Sequence, residues 1–453
     1  MVWIRRFDVP VALSIAGSDS GGGAGIEADL KAFAAVGVHG AIALTALTAQ
    51  NSTGVFGVFP VSPDFVFKQI EVVFEDMGIN AAKTGMLFNS EIISAVCEAI
   101  DKFKFPVVVD PVMIAKSGAP LLKDDAIDTL ISELIPRALI VTPNVFEAER
   151  IYGSKISNIA DAEHAAKEIS KLGVKAVVIK GGHLSGDEST DILFYRGRTW
   201  RFSLPRLNSK NTHGTGCCFS AAIAGYLAKG FSIVEAVKRA KELTYYAIMY
   251  GLPVGKGVGS VNPLAITYLD SERFRVLRDL EEGFNLLRNL KGISDLIPQC
   301  RSNFVYALPD AVNVYDVAGF PGRISVINGK LVAFSPPKFG GSDHVARIIL
   351  TAIKYDPNIR SAINLKYSED IVNAAIKAGL KVSMFDRALE PTEIKKIEGM
   401  SLPWGVKTAI EEVGFVPDII YDRGGFNREA MVRVLGKDPY DIVKKVKAIL
   451  REL

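Results

Sequence analysis

Apolar residues fall along this chain in two rhythms. In the first half, short unbroken apolar runs alternate with longer stretches whose apolar positions recur every three or four residues. "VALSIAG" is followed by a glycine loop and the amphipathic "GIEADLKAFAAVG". "FPVVVDPV", "RALIVTPN" and "VKAVVIKGG" are again continuous, rich in β-branched residues and closed by Pro, Asn or Gly. Such runs predict strands buried on both faces. Their alternation with helical stretches predicts an α/β layered domain with a mostly parallel sheet. Ligand loops then belong beyond the carboxyl ends of the strands. The run from Val9 to Ala16 is short and leads into glycines, which makes it a first strand rather than a signal peptide.

The rhythm breaks after "GVGSVNPLA". In "DSERFRVLRDLEEGFNLLRNL", Leu277, Leu280, Phe284 and Leu287 share one helical stripe, with Asp270 or Ser271 as the expected cap. The boundary is expected near residues 266 to 270, giving a first domain over 1–266 and a second over 267–453. The second carries further glycine turns in "GFPGR", "KFGGSDH" and "DRGGFNRE".

Composition narrows the field of partners. Hydrophobic residues make up 49% of the 453 and charged residues 23%, as globular cores require. A net charge of +3 gives no reason to expect nucleic acid or an anionic membrane as partner. No apolar run approaches the roughly 20 residues of a membrane span. Cys97, Cys217, Cys218 and Cys300 form no C-x-x-C pair, and the five histidines lack zinc spacing. A reducing cytoplasm fits this usage.

Candidate chemistry gathers at the ends of the apolar runs. In "NTHGTGCCFSAAIAGYLAKG", Gly214, Thr215 and Gly216 open an apolar helix. Free N–H groups at a helix start, with the positive end of its dipole, favour phosphate; a plain turn is the alternative. Cys217 stands at that start, where a lowered thiol pKa is expected, unless it is inert core. Asp29 lies inside a helix, either solvated or at a ligand. Gln50 and Asn51 end a strand, where an amide reads a heteroaromatic ring or caps a turn. Asp110 rises from an apolar strand and suits metal or charge control, or simply forms a turn. Asn144 and Glu147 have the spacing of a helix cap and its N3 partner. Lys180 ends a strand, where it can meet phosphate. In the second domain Arg323, Lys338, His344, Arg347, Arg387, Arg423 and Arg428 lie in or near glycine turns. They form either surface turns or a site for a phosphate-bearing ligand.

Seven segments in order extend the reading: "AGSDSGGGAGIEADLK", "TALTAQNSTGV", "KTGML", "DPVMIAKSGAPLL", "TPNVFEAE", "VIKGGH" and "NTHGTGCCFSAAIA". Over roughly residues 9 to 265 the chain resembles the hydroxymethylpyrimidine and hydroxymethylpyrimidine-phosphate kinases of thiamine biosynthesis, a branch of the ribokinase-like fold. The resemblance implies ATP as phosphoryl donor and Mg2+ as cofactor. It implies that Gly17, Asp29, Gln50, Met86 and Val112 line the pyrimidine pocket, and that Asp110 and Glu147 serve the metal. Asn144 and Lys180 would serve the phosphates, with a loop around Lys116 and Ser117 covering the site. Gly214, Thr215 and Gly216 would form the anion hole. Cys217 takes the place of the aspartate that is the usual base in related sugar kinases, and Cys218 is assigned to packing.

From about residue 270, "AGFPGRI", "PKFGGSDHVARIIL", "AINLKYSED", "MFDR", "PWGVKTAI" and "PDIIYDRGGFNREAMVRVLGKDP" resemble the α/β thiamine-phosphate synthase domain fused to this kinase, chiefly in archaea. That domain joins the pyrimidine pyrophosphate to a thiazole phosphate. Arg323 and His344 are implied in catalysis, and Arg423 and Arg428 in phosphate contacts. A thiamine-phosphate sensor in place of the synthase, a pyridoxal-type kinase and a purely structural fusion partner are the competing readings. A homodimer is allowed.

Overall fold

The computed structural model describes residues 9–113, 122, 124–309, 311–425 and 428–453. The chain divides into two compact units between Tyr268 and Leu269. No helix among the described residues is long and apolar enough to cross a membrane.

The first unit contains strands β1 (Val11–Ala16), β2 (His39–Leu44), β3 (Ala46–Asn51), β4 (Gly54–Pro60), β5 (Ala81–Thr84), β6 (Val107–Val109), β7 (Ile140–Val141), β8 (Ala176–Ile179), β9 (Glu188–Tyr195) and β10 (Arg198–Pro205). Eight of them form one sheet in the order β10-β9-β8-β7-β6-β5-β1-β2. Pairing is parallel from β2 through β8 and antiparallel at β9 and β10. Strands β3 and β4 form a separate hairpin. Val107 and Val109 face one hydrophobic core while Val108 faces the other. A strand with a core on each side has no reason to alternate with polar residues, which is why its sequence is continuous. Helices Gly25–Val36, Thr215–Ala228 and Ile233–Met249 cover one face, and Ser90–Phe103 and Ile159–Ser170 are among those covering the other.

The second unit contains β11 (Phe304–Ala307), β12 (Val317–Gly319), β13 (Ile324–Ile327), β14 (Lys330–Ala333), β15 (Lys338–Phe339), β16 (Ser361–Lys366), β17 (Val382–Met384), β18 (Ile419–Asp422) and β19 (Met431–Gly436). Its main sheet runs β15-β12-β11-β16-β19-β18-β17 and is antiparallel except at β17–β18. It too separates two cores: Phe304 and Tyr306 point into one, Val305 and Ala307 into the other.

One expected start moves. The helix runs from Ala265 to Leu287, so Asp270 and Ser271 lie inside it, exposed, and cap nothing. The helix begins just after Asn262 and Pro263, with Ala265 buried and its N–H bonded to the Asn262 carbonyl. Val276, Leu280, Phe284 and Leu287 form the buried stripe, and Leu277 is only half-buried.

Candidate active sites

A cavity of about 970 Å³ opens in the first unit beyond the carboxyl ends of β1, β5, β6, β7 and β8. Parallel strands deliver their last residues to the same edge, so segments far apart in sequence meet there. Gly17, Gln50, Met86, Val112, Asp110, Asn144, Glu147, Lys180, Gly214, Thr215, Gly216 and Cys217 all line it. Gly214 precedes the helix at φ +82°, and a Cβ there would collide with the Gly23 carbonyl. Only glycine allows this approach. Lys116 and Ser117 lie outside the described residues.

The lysines of this cavity stand beside carboxylates. Lys180 Nζ lies 2.8 Å from Asp110 Oδ1 and 4.0 Å from Glu147 Oε2. A Cβ on Gly216 would stand 3.3 Å from the same ammonium, so the lysine hangs over the helix start. Ser220 Oγ donates to Asp110 Oδ2 at 3.2 Å. Burial works against the Asp110 charge, but Lys180 and Lys83 overcome it and hold the carboxyl below its usual range. Glu147 is pushed up to about 7, by burial first and by Asp110 next, against the pull of Lys180. Asn144 and Glu147 do form a reciprocal capping box, with Asn144 N–H donating to Glu147 at 2.8 Å and Glu147 N–H to Asn144 at 2.9 Å. The cap and the cavity wall are therefore the same two residues.

Two expectations change. Asp29 is fully buried and does not line the cavity. Its carboxylate accepts from Ser14 Oγ at 2.6 Å and from Lys83 Nζ at 2.9 and 3.0 Å, and Lys83 faces the cavity instead. The Cys217 thiol is raised to about 11, not lowered. Burial dominates; Lys83 pulls the other way but does not prevail, and Asp29 and Asp110 add to the rise. Cys218 is fully buried in the adjoining core.

Sequence reading gave no role to Lys83, whose only signal is a lone charge opening "KTGML". It also missed Asp19, which accepts from the N–H groups of Gly21, Gly23 and Ala24 at 2.8–3.1 Å. Asp19 Oδ2 lies 2.9 Å from His213 Nε2, and Gln50 Nε2 lies 3.5 Å from that same nitrogen. One carboxylate thus ties the glycine loop to the "NTHGTG" turn.

A second cavity, of about 870 Å³, lies within the second unit. Arg323, His344, Arg387 and Arg428 line it. Arg323 follows Gly322 with φ +68°, and its Nη1 donates to the Cys300 carbonyl at 2.6 Å. His344 is the first residue of helix His344–Ala352, with Nδ1 3.8 Å from Asp343 Oδ2. Two turns carry this pair, and a Cβ on Gly341 would collide with the Gly319 carbonyl. Bare backbones therefore let "AGFPGR" and "KFGGSDH" touch. Asn303, unnoticed in the sequence, pins the first turn: its amide donates to the Phe320 carbonyl and its carbonyl accepts from Phe320 N–H, both at 2.9 Å.

Three of the other cations, Arg423, Arg347 and Lys338, fall away from this cavity. Arg423 is exposed, sits 3.8 Å from Glu369 and does not line the wall. It follows β18 directly and points to the surface charge there rather than inward. Arg347 is spent on Asp343 at 2.9 Å, and Lys338 belongs to edge strand β15. Arg428 lines the cavity while donating to Glu390 and Ser401, each at 3.0 Å.

Comparison with known proteins agrees with this division. Residues 19–262 match the phosphomethylpyrimidine kinase family model and residues 279–448 the model of thiamine-phosphate synthase ThiN. The bifunctional thiamine biosynthesis protein ThiDN of Methanocaldococcus jannaschii is 34% identical over 442 residues, 97% of this chain and 98% of that one. The hydroxymethylpyrimidine/phosphomethylpyrimidine kinase of Rhizobium meliloti is 48% identical over 255 residues, 56% of this chain and 96% of that one. The pyridoxal kinase of Staphylococcus aureus, solved with AMP-PCP and pyridoxal, is 36% identical with a TM-score of 0.54, over 57% of this chain and 95% of that one. A ribokinase-like kinase cavity in the first unit and a cationic cavity in the second thus sit in matching families: the chain belongs to the phosphomethylpyrimidine kinase family, joined to a ThiN thiamine-phosphate synthase domain, and is a bifunctional transferase of thiamine biosynthesis.

Proposed function

We propose that one cavity performs both phosphorylations, with Cys217 as the base of the first alone, and that Arg323 and His344 draw off pyrophosphate in the second domain. The kinase converts 4-amino-5-hydroxymethyl-2-methylpyrimidine to its monophosphate and then its pyrophosphate, using ATP; the synthase couples that product to thiazole phosphate. The observation that carries the kinase assignment is the meeting of Cys217, the helix start at Gly214–Gly216 and the Lys180–Asp110 pair on one wall.

In this reading Gly17, Gln50, Met86 and Val112 surround the pyrimidine and turn its hydroxymethyl group toward the Cys217 sulfur. The N–H groups of the helix start and the Lys180 ammonium receive the transferring phosphoryl group. The substrate's hydroxyl proton passes to the Cys217 thiolate as the new P–O bond forms and the bond from the γ-phosphorus to the ADP oxygen breaks, releasing ADP. The raised thiol pKa makes the thiolate scarce at rest, and the Lys83 ammonium supports it when it forms. Transfer of this kind depends mainly on positioning and charge neutralisation, so a scarce base suffices. In the second step the acceptor is already an anionic phosphate and needs no base.

Asp110 and Glu147 would hold Mg2+. The two carboxylates are joined through Lys180, and no group of three His, Cys, Asp or Glu is gathered among the described residues. That donor set suits an ion bound by one or two carboxylates and by substrate phosphates, whose charge it would neutralise.

In the synthase cavity, pyrophosphate leaves a benzylic-type carbon whose cationic character the aminopyrimidine ring stabilises, and the thiazole nitrogen attacks. Arg323 and His344 neutralise the departing charge on two turns held together by Gly319 and Gly341. The four free cysteines support a reducing cytoplasm as the setting. Phe56 and Phe59 of the β3–β4 hairpin, 72% and 70% exposed, support a homodimer in which a second copy covers them.

The deciding experiment mixes protein with the hydroxymethylpyrimidine, thiazole phosphate, ATP and magnesium, and reads thiamine phosphate after oxidation to its fluorescent product. Omitting any one component should abolish the signal. A folded protein that forms the pyrimidine pyrophosphate but never thiamine phosphate overturns the assignment in the second domain. The likeness to the Staphylococcus aureus kinase favours pyridoxal as a second acceptor in the same cavity. Competition between pyridoxal and the hydroxymethylpyrimidine tests it.

A further inference from the structure

The synthase cavity holds a second cationic cluster, built by other elements than those carrying Arg323 and His344. Strands β17, β18 and β19 are neighbours. Arg387 follows the first, Asp422 ends the second and Arg433 lies in the third. Asp422 is fully buried and takes both guanidiniums: Arg387 Nε donates to Oδ1 at 2.6 Å and Nη2 to Oδ2 at 3.2 Å, while Arg433 Nη2 donates to Oδ2 at 2.6 Å. Gly424 N–H donates to Oδ1 at 2.9 Å. The ring of Phe385 lies beside both, its centroid 5.4 Å from Arg387 and 5.2 Å from Arg433. Arg387 and Arg433 both line the cavity.

The charges in this cluster do not balance. Arginine stays protonated in proteins, so two positive charges face one negative charge. Among the described residues Asp422 is the sole carboxylate paired with either guanidinium. Their side chains are only 11% and 3% exposed, so water compensates little. Arg428, in the same wall, shows the balanced alternative, one guanidinium to one carboxylate. Burial strains the Arg433 charge, Asp422 relieves it and Arg387 opposes it, leaving the pKa below the ordinary arginine value. A buried surplus of positive charge at a cavity wall is relieved by an anion with several acceptor oxygens, and guanidinium forks match phosphate.

We propose that Arg387 and Arg433 form a phosphate subsite of the synthase cavity, with Asp422 as the positioning residue that fixes both guanidiniums. This rests on the synthase reading and deepens it. The phosphate comes either from the thiazole monoester or from the pyrophosphate of the pyrimidine substrate; the chemistry is shared.

The full-length Arg387→Gln protein separates the two sources. With preformed pyrimidine pyrophosphate and thiazole phosphate supplied, KM for one of them should rise roughly 10- to 100-fold, the usual range for losing a charge-assisted bond. KM for the other and both kinase steps should stay unchanged. A rise for thiazole phosphate, with calorimetric loss of inorganic phosphate binding, assigns the monoester. A rise for the pyrimidine pyrophosphate, with loss of inorganic pyrophosphate binding, assigns the leaving group. Arg387→Lys keeps the charge beside Asp422, guards against misfolding and should show a smaller rise in the same KM. Unchanged KM values and unchanged anion binding in a folded variant overturn the proposal and leave the cluster structural. If the wild-type protein made no thiamine phosphate, the synthase reading would fail, and anion calorimetry alone would still decide the subsite.

Discussion

The two cavities handle charge in opposite ways. In the kinase cavity three lysines each have their own carboxylate: Lys83 with Asp29, Lys180 with Asp110, Lys241 with Asp191. In the synthase cavity Arg323 bonds to a carbonyl, and Arg387 and Arg433 share one aspartate. The contrast follows from the chemistry. A site that must admit ATP, move a proton and act on two successive acceptors gains from balanced pairs that a phosphate can partly exchange. A site whose main task is to draw an anion off carbon gains from charge held in excess.

Removing Cys217, the proposed base, should give the largest effect. Cys217→Ala should slow phosphorylation of the free alcohol on the order of 10²–10⁴-fold and hardly touch phosphorylation of the monophosphate. Equal losses in both steps would make Cys217 structural and erase this half of the contrast.

The pH profile sharpens the same point. With the thiol at about 11, the thiolate fraction grows as pH rises through the neutral and alkaline range. Above the range near 7 where Glu147 ionises, first-step kcat/KM should climb about tenfold per pH unit, while the second step stays flat. Parallel profiles for the two steps would remove the thiolate from the mechanism.

Arg323→Ala probes the unbalanced side. Coupling should drop on the order of 10²–10³-fold, as when a donor to a developing anion is lost. Both kinase steps should survive, and preformed pyrimidine pyrophosphate should not restore the product. Rescue by that intermediate would place the defect in the kinase instead.

The smallest of these effects concerns recognition. Gln50→Leu should weaken pyrimidine binding by roughly 1–3 kcal/mol and leave ATP affinity alone, because an amide is lost from the ring edge. Calorimetry with each ligand decides it; loss of ATP affinity alone would reassign Gln50.

What could be read beforehand was what depends on short range. The strands were legible because two-sided burial writes itself as "VVV" and "AVVI", and the glycine turns because their backbones allow little else. The site was legible as a set of strand ends and motifs. What stayed hidden depends on partners distant in sequence. Asp29 looks like any helix carboxylate until Lys83, 54 positions on, takes it. The helix start at Cys217 suggests an acidic thiol, but burial from packed segments elsewhere reverses the sign. Arg433 sits in a strand pattern that gives no hint of Asp422 on the neighbouring strand, and Asn303 gives none of the turn it braces. Arg423 misled because it adjoins the "DRGG" turn, yet its neighbour Asp422 is the one that turns inward.

The backbone of Arg323 has a further consequence. A residue with a Cβ is strained at φ +68°, by roughly 1–2 kcal/mol, and glycine is not. The chain therefore keeps a side chain where folding alone would prefer none. Stability and catalysis should part company at this position. Arg323→Gly should melt above Arg323→Ala, even after the greater freedom glycine gives the unfolded chain, and both should lose coupling to the same extent. Thermal unfolding of the two variants side by side measures how much conformational comfort the domain gives up to hold a guanidinium there.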